Sequence, residues 1–182
     1  MIIDWTHSKA NAEKMYINNY VSSGLITGTQ WDVILNTLIN KANLTNTDII
    51  TNSSSWGNYK NKQLTFTGRK SVASYNGSNW ILAPFGVETT DGTKGTYSGN
   101  GGELLTTGAS STTEKYHIFD IAGNLWEWTE EDAHYSTTEQ YRVSRGGSYI
   151  YDSDEYPACY HAWDSASYTS NSIGFRVVLY IK

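Results

Sequence analysis

The chain has 182 residues, 38% of them hydrophobic and 17% charged, which suits one folded domain with a sizeable core and excludes a disordered chain. The net charge is −5, and the thirteen Lys and Arg are scattered rather than gathered in a stripe, so nucleic acid is disfavoured as a partner. No segment has membrane-spanning length, Met1 to Lys9 lacks the apolar core of a signal peptide, and the single cysteine, Cys159, excludes an internal disulfide framework and a multi-thiolate metal site.

Two helices are expected first. From Lys9 to Tyr20 the residues Ala10, Met15, Tyr16 and Tyr20 recur at helical spacing, and Gly24 is a natural stop. A second run opens at Thr27, a capping residue, and puts Trp31, Ile34, Leu35 and Leu38 on one face. The stretch from Asn43 to Tyr59 is rich in Asn, Ser and Thr and reads as irregular. From Tyr75 to Lys115 the dominance of Gly, Thr and Ser predicts an excursion of hairpins and loops. Strands are expected at Leu125 to Thr129, Tyr141 to Arg145 and Gly174 to Ile181, the last an apolar run suited to the centre of a sheet. No linker or repeat divides residues 1–182, so they read as one domain.

The most specific stretch is Asp120-Ile121-Ala122-Gly123-Asn124-Leu125-Trp126-Glu127-Trp128-Thr129. It reads as a glycine turn entering a strand, with Trp126 and Trp128 on one face and Glu127 on the other. Arg145-Gly146-Gly147-Ser148 and Gly174-Phe175-Arg176 follow, and paired glycines after a strand permit a bulge or close backbone packing. In this order the three blocks resemble the formylglycine-generating-enzyme family, with its G-N-V-W-E-W, R-G-G-S and G-F-R pattern. Leu25, Thr27 and Trp31 also match its helix start, where this chain lacks the family's Pro and two Glu. The resemblance implies an α+β, C-type-lectin-like fold with two N-terminal helices, twisted antiparallel strands and long loops, its N-terminal strand region shortened.

Function has to be argued from the site. The family's enzymes hold copper with two cysteines between the R-G-G-S and G-F-R blocks. Counted back from Gly174, those positions fall on Ser153 and Ala158; Cys159 lies one residue off and has no partner thiol. The histidines, His7, His117, His134 and His161, show no metal-ligand spacing, and neither a phosphate loop nor a nucleophile elbow is present. A formylglycine-generating-type oxidase is therefore the least favoured reading.

Residues 149–170 differ in character: five Tyr, one Trp, four Ser and three Asp, with no Gly, Lys or Arg. Aromatic rings give contact area at little rotamer cost, while Ser and Asp give adaptable hydrogen bonds, the chemistry of a paratope. The expected ligand surface is Tyr149, Tyr151, Asp152, Asp154, Tyr156, Tyr160, His161, Trp163, Asp164 and Tyr168, with Pro157 and Ala158 fixing the backbone between them. This window also resembles the hypervariable stretch in variable proteins of diversity-generating retroelements. That resemblance implies a non-catalytic protein on a phage tail (the virion) or bacterial cell surface, meeting a protein or glycan receptor. The rival class is a calcium-dependent lectin stacking a sugar on Trp163 between His161 and Asp164, although the Glu-Pro-Asn type signature is absent.

The family resemblance further implies a structural calcium ion (Ca2+), held by the side chains of Asp120 and Glu127 and the backbone carbonyls of Gly123 and Leu125. Calcium wants six to eight oxygens and accepts such a mixed shell. The residues leave another arrangement open, in which Asp120 caps the turn and Glu127 pairs with Arg145 or Arg176.

Overall fold

The computed structural model describes residues 2–62, 102–134 and 138–182 in full, together with the backbone of five short strands between 63 and 101. Helix α1 (Trp5–Met15) opens on Asp4, whose carboxylate accepts from the His7 amide at 2.8 Å. A cap at Asp4 starts the helix well before Lys9, and it ends at Met15, so Tyr16 and Tyr20 lie beyond it. Gly24 does not stop a helix. It sits inside β1 (Val21–Leu25), which pairs antiparallel with the last strand of the chain.

Helix α2 (Gly28–Lys41) follows the expected pattern. Thr27 accepts from the Gln30 amide at 3.1 Å while the Gln30 side chain accepts from the Thr27 amide at 2.9 Å, a reciprocal box that satisfies two orphan donors. Its Trp31, Leu35 and Leu38 are buried. The stretch expected to be irregular contains one short helix, α3 (Asn46–Ile50), opened by a second such box between Thr45 and Asp48.

Strands β2 (Thr65–Thr67) and β3 (Ser71–Tyr75) lead up to the glycine-rich excursion, which contributes β4 (Trp80–Pro84), β5 (Val87–Glu88) and β6 (Lys94–Thr96), all paired antiparallel; the loops joining them lie outside the described residues. Short pairs β7 (Leu104–Leu105), β8 (Glu114–Lys115) and β9 (Ile118–Phe119) lead into the motif region.

Strands β10 (Trp126–Asp132), β11 (Tyr141–Arg145), β12 (His161–Ser165) and β13 (Ile173–Phe175) form a mixed sheet in the order β12-β11-β10-β13, with only the β10–β13 pairing parallel. The apolar C-terminal run is not one central strand. It divides at Arg176, where the side chain turns toward Glu127: β13 edges the sheet, and β14 (Val177–Ile181) pairs with β1 and leaves Leu179 and Ile181 exposed.

Two buried clusters hold these layers. One joins Trp31, Leu35 and Leu38 of α2 to Trp56, Tyr59, Ile121 and Ala158; the other joins Trp5 and Ala12 of α1 to Trp126, Trp128 and Ile173. Each fully buried Trp brings an indole N–H that needs a partner. Trp31 donates to the Ala158 carbonyl at 3.1 Å and Trp56 to the Asp48 carbonyl at 3.1 Å.

Candidate ligand-binding site

The paired glycines set the site's backbone. Gly146 and Gly147 both have positive φ, 94° and 77°, and a Cβ on Gly147 would collide with the Tyr156 carbonyl. Only glycine lets residues 151–156 fold back so closely over the end of β11. Two turns then shape this segment, with the Tyr151 amide donating to the Ser148 carbonyl at 3.2 Å and the Tyr156 amide to the Asp152 carbonyl at 3.2 Å. The segment is pinned from below: the Lys60 amide donates to the Tyr151 carbonyl, the buried Ser153 hydroxyl to Asn52 at 2.8 Å, and the Ala158 amide to Ser53 at 2.9 Å. Thus Ser153 and Ala158, where the family resemblance puts the enzymes' two cysteines, are a buried hydroxyl and a buried methyl group.

On this base the rings gather round one residue. Trp126, 5% exposed, lies with its centroid 5.6 Å from Tyr156, 6.0 Å from Tyr160 and 6.5 Å from Tyr151, all edge-on. Tyr156 in turn stands 4.7 Å from Tyr151 and 4.9 Å from Tyr160. Such edge-to-face contacts hold rings at low entropic cost and add to their area burial. A cleft of about 150 Å³ opens here, lined by Trp126, Ser144, Tyr151, Tyr156, Ala162, Asp164, Tyr168, Ser172 and Ile173.

The ten residues expected to form one surface are therefore divided. Tyr151, Tyr156, Asp164 and Tyr168 meet in the cleft, with Tyr160 beside them. Tyr149 is buried and belongs to the packing beneath, because its amide follows the backbone into the Asn124 carbonyl at 3.0 Å. His161 and Trp163 lie on the other face of β12: the register pairs Ala162 with Ser144 and Asp164 with Arg142, so strand alternation turns the odd residues away. Asp152 is half-buried at the turn it caps, and Asp154 is exposed outside the cleft. Composition of the window alone could not reveal Trp126, Ser144, Ala162, Ser172 and Ile173 as lining residues. The signal for Trp126 was its alternation with Trp128, which marks a shared face without saying what covers it.

A second cleft, of about 310 Å³, lies at the asparagine-glycine turn and is lined by Asp120, Asn124, Leu125, Glu127, Arg176 and neighbours. Asn124 locks the turn by accepting from Asn58 at 2.9 Å and from the Leu105 amide at 3.0 Å. Arg176 fills the part of a cation. Its guanidinium forks onto Glu127 at 2.7 and 2.8 Å and also donates to the carbonyls of Phe119 at 2.9 Å and Asp120 at 3.4 Å. The Asp120 carboxylate accepts from the Gly108 amide at 3.0 Å. Burial pushes both carboxyls above their ordinary range, with Arg176 pulling against it. Among the described residues no three acidic, His or Cys side chains converge. Of the two arrangements the sequence left open around Asp120, Gly123, Leu125 and Glu127, the geometry has Glu127 paired with Arg176, both carboxylate oxygens accepting from the guanidinium. Arg145 does not compete for Glu127; it pairs with Glu131 through two bonds of 2.7 and 2.8 Å.

This fold and these blocks define a domain of formylglycine-generating-enzyme type. The sulfatase-modifying factor enzyme 1-like domain matches residues 45–181, and the chain belongs to that family. Among solved structures, one titled "Crystal Structure of CarF" is similar at 14% identity with a TM-score of 0.51, a likeness of fold. It covers 88% of this chain, which spans 48% of that one. No curated protein matches the sequence.

Proposed function

We propose that this domain is a non-catalytic binding protein whose ligand rests on the tyrosine-walled cleft over Trp126. We read it as a variable protein of the diversity-generating-retroelement kind, displayed on a phage tail or bacterial surface toward a protein or glycan receptor. One observation carries the reading: three tyrosines stand edge-on around a buried tryptophan, on backbone that is pinned independently of their side chains. Rings supported in this way offer rigid contact area, and the scaffold does not depend on which side chains it presents.

Two further features agree with this reading. A copper oxidase of this family needs a thiol pair, and Cys159 is the chain's one thiol, with burial pushing it up and away from thiolate. The lectin alternative needed His161, Trp163 and Asp164 around one sugar, and β12 turns Asp164 to the opposite face.

The test is binding of the labelled domain to a panel of intact bacterial cells, beside a formylglycine assay with copper and a sulfatase-derived peptide. The expected result is saturable binding to some cells, lost in Tyr156→Ala with Tyr168→Ala, and no formylglycine above the enzyme-free control. Turnover, or binding indifferent to both substitutions, overturns the reading.

A further inference from the structure

The cleft over Trp126 contains one charge, and that charge is unmatched. Asp164 is half-buried on the inner face of β12, and among the described residues its carboxylate has no hydrogen-bond or ion-pair partner. Desolvation alone acts on it, pushing its carboxyl above the ordinary range. The nearest candidate cation on this face is Arg142, its cross-strand neighbour. Arg142, however, turns elsewhere: its guanidinium stacks 4.0 Å over the Trp5 ring and stands 4.0 Å from Asp132, while its buried Nε–H has no hydrogen-bond partner among the described residues. A carboxylate removed from water without a partner costs stability, and a position that carries this cost is suited to a ligand that supplies the missing charge.

The surroundings say which charge. Trp126, Tyr151, Tyr156 and Tyr168 wall the same cleft, and aromatic rings attract organic cations through their quadrupole. The other polar residues that line this cleft, Ser144, Ser172 and the tyrosines, all carry hydroxyls. A primary ammonium brings three N–H donors for such oxygens, whereas a quaternary ammonium brings none. Resting on the binding reading given above, we infer that the Trp126–Asp164 cleft is a subsite for a primary alkylammonium group, the side chain of a lysine on a protein receptor. The carboxylate of Asp164 accepts from the ammonium while the tyrosines and Trp126 pack its methylene stem. The chain's net charge of −5 favours the approach of such a basic surface.

The test follows the Trp126 indole N–H resonance during titration with n-butylammonium, tetramethylammonium and the neutral 1-butanol. Saturation by n-butylammonium in the millimolar range is expected, with each of the other two at least about tenfold weaker. Asp164→Asn should weaken n-butylammonium by about tenfold or more, leaving 1-butanol unchanged and the melting temperature the same or higher. Equal binding of n-butylammonium and 1-butanol overturns the inference, as does an Asp164→Asn protein that keeps full affinity. Tighter binding of tetramethylammonium overturns the primary-amine assignment. Should Asp164→Asn fail to fold, the comparison of the three probes on the unsubstituted protein still decides. Cell binding that depends on Tyr156 with no response to n-butylammonium defeats this inference alone, whereas loss of both defeats the binding reading too.

Discussion

Glu127 and Arg176 join the tryptophan strand to the turn between β13 and β14 through a forked pair of 2.7 and 2.8 Å, with Glu127 only 9% exposed. The same guanidinium ties down the Phe119 and Asp120 carbonyls, so a single side chain satisfies three otherwise stranded acceptor groups. Removing one partner of a nearly buried pair leaves the other charged and unpaired, so Arg176→Ala should lower unfolding free energy by about 3 kcal/mol. Glu127→Gln added to Arg176→Ala should recover part of that loss, because the second substitution removes the orphaned charge. Urea unfolding of the three variants measures both; equal stability of Arg176→Ala and the parent protein would show the pair to be ornamental.

Because Arg176 already neutralises Glu127, calcium should find no shell to complete. The melting temperature in millimolar calcium should agree with that in chelator to within about a degree, as expected when an ion does not bind the native state preferentially. A rise of several degrees, abolished by Asp120→Asn with Glu127→Gln, would mean that the guanidinium yields to the ion.

Arg145 and Glu131 supply a dependence on pH whose sign follows from the carboxyl. Burial works to raise the Glu131 carboxyl, but the forked Arg145 outweighs it and holds Glu131 below the ordinary value of 4.5. A depressed folded value means that the stabilisation is complete well above pH 4.5 and is lost as pH falls through the folded value. Glu131→Gln should therefore cost about 2 kcal/mol at pH 7, a typical figure for hydrogen bonds to a charged group, and progressively less toward strong acid. A cost independent of pH across the acid range would remove the ion pair as its origin.

Tyr149 and Tyr168 should behave oppositely although both belong to the tyrosine-rich window. Tyr149 is 9% exposed and Tyr168 45% exposed at the cleft. Tyr149→Ala should cost about 3 kcal/mol of stability, as truncation of a buried aromatic does. Tyr168→Ala should leave the melting temperature within about a degree while weakening ligand binding, as expected of a surface contact. Thermal unfolding separates the two directly, and a collapse of the Tyr168→Ala protein would place that ring in the core.

Much of the fold was legible in local pattern. Thr27 with the apolar face of Trp31, Leu35 and Leu38 specified α2, because capping and helical periodicity are both encoded within a few residues. Alternation in Trp126-Glu127-Trp128 correctly sorted the two faces of β10, since the period of a strand is a local property. What local pattern could not show was pairing. The apolar run Gly174 to Ile181 looked like a central strand, but the pull of Glu127 on Arg176 divides it, and that partner is 49 residues away. The aromatic and acidic content of residues 149–170 singled that segment out from composition alone, and its Tyr151, Tyr156, Asp164 and Tyr168 line the cleft proposed to hold a ligand. Only the register of β11 against β12 decided which side chains meet. It brought Asp164 to the Trp126 cleft and turned Trp163 and His161 to the other face, while the bond of the Tyr149 amide to the Asn124 carbonyl holds Tyr149 beneath as packing. A one-residue change of register exchanges the two faces of a strand, so membership of a site built on β12 is fixed by long-range hydrogen bonding and not by composition.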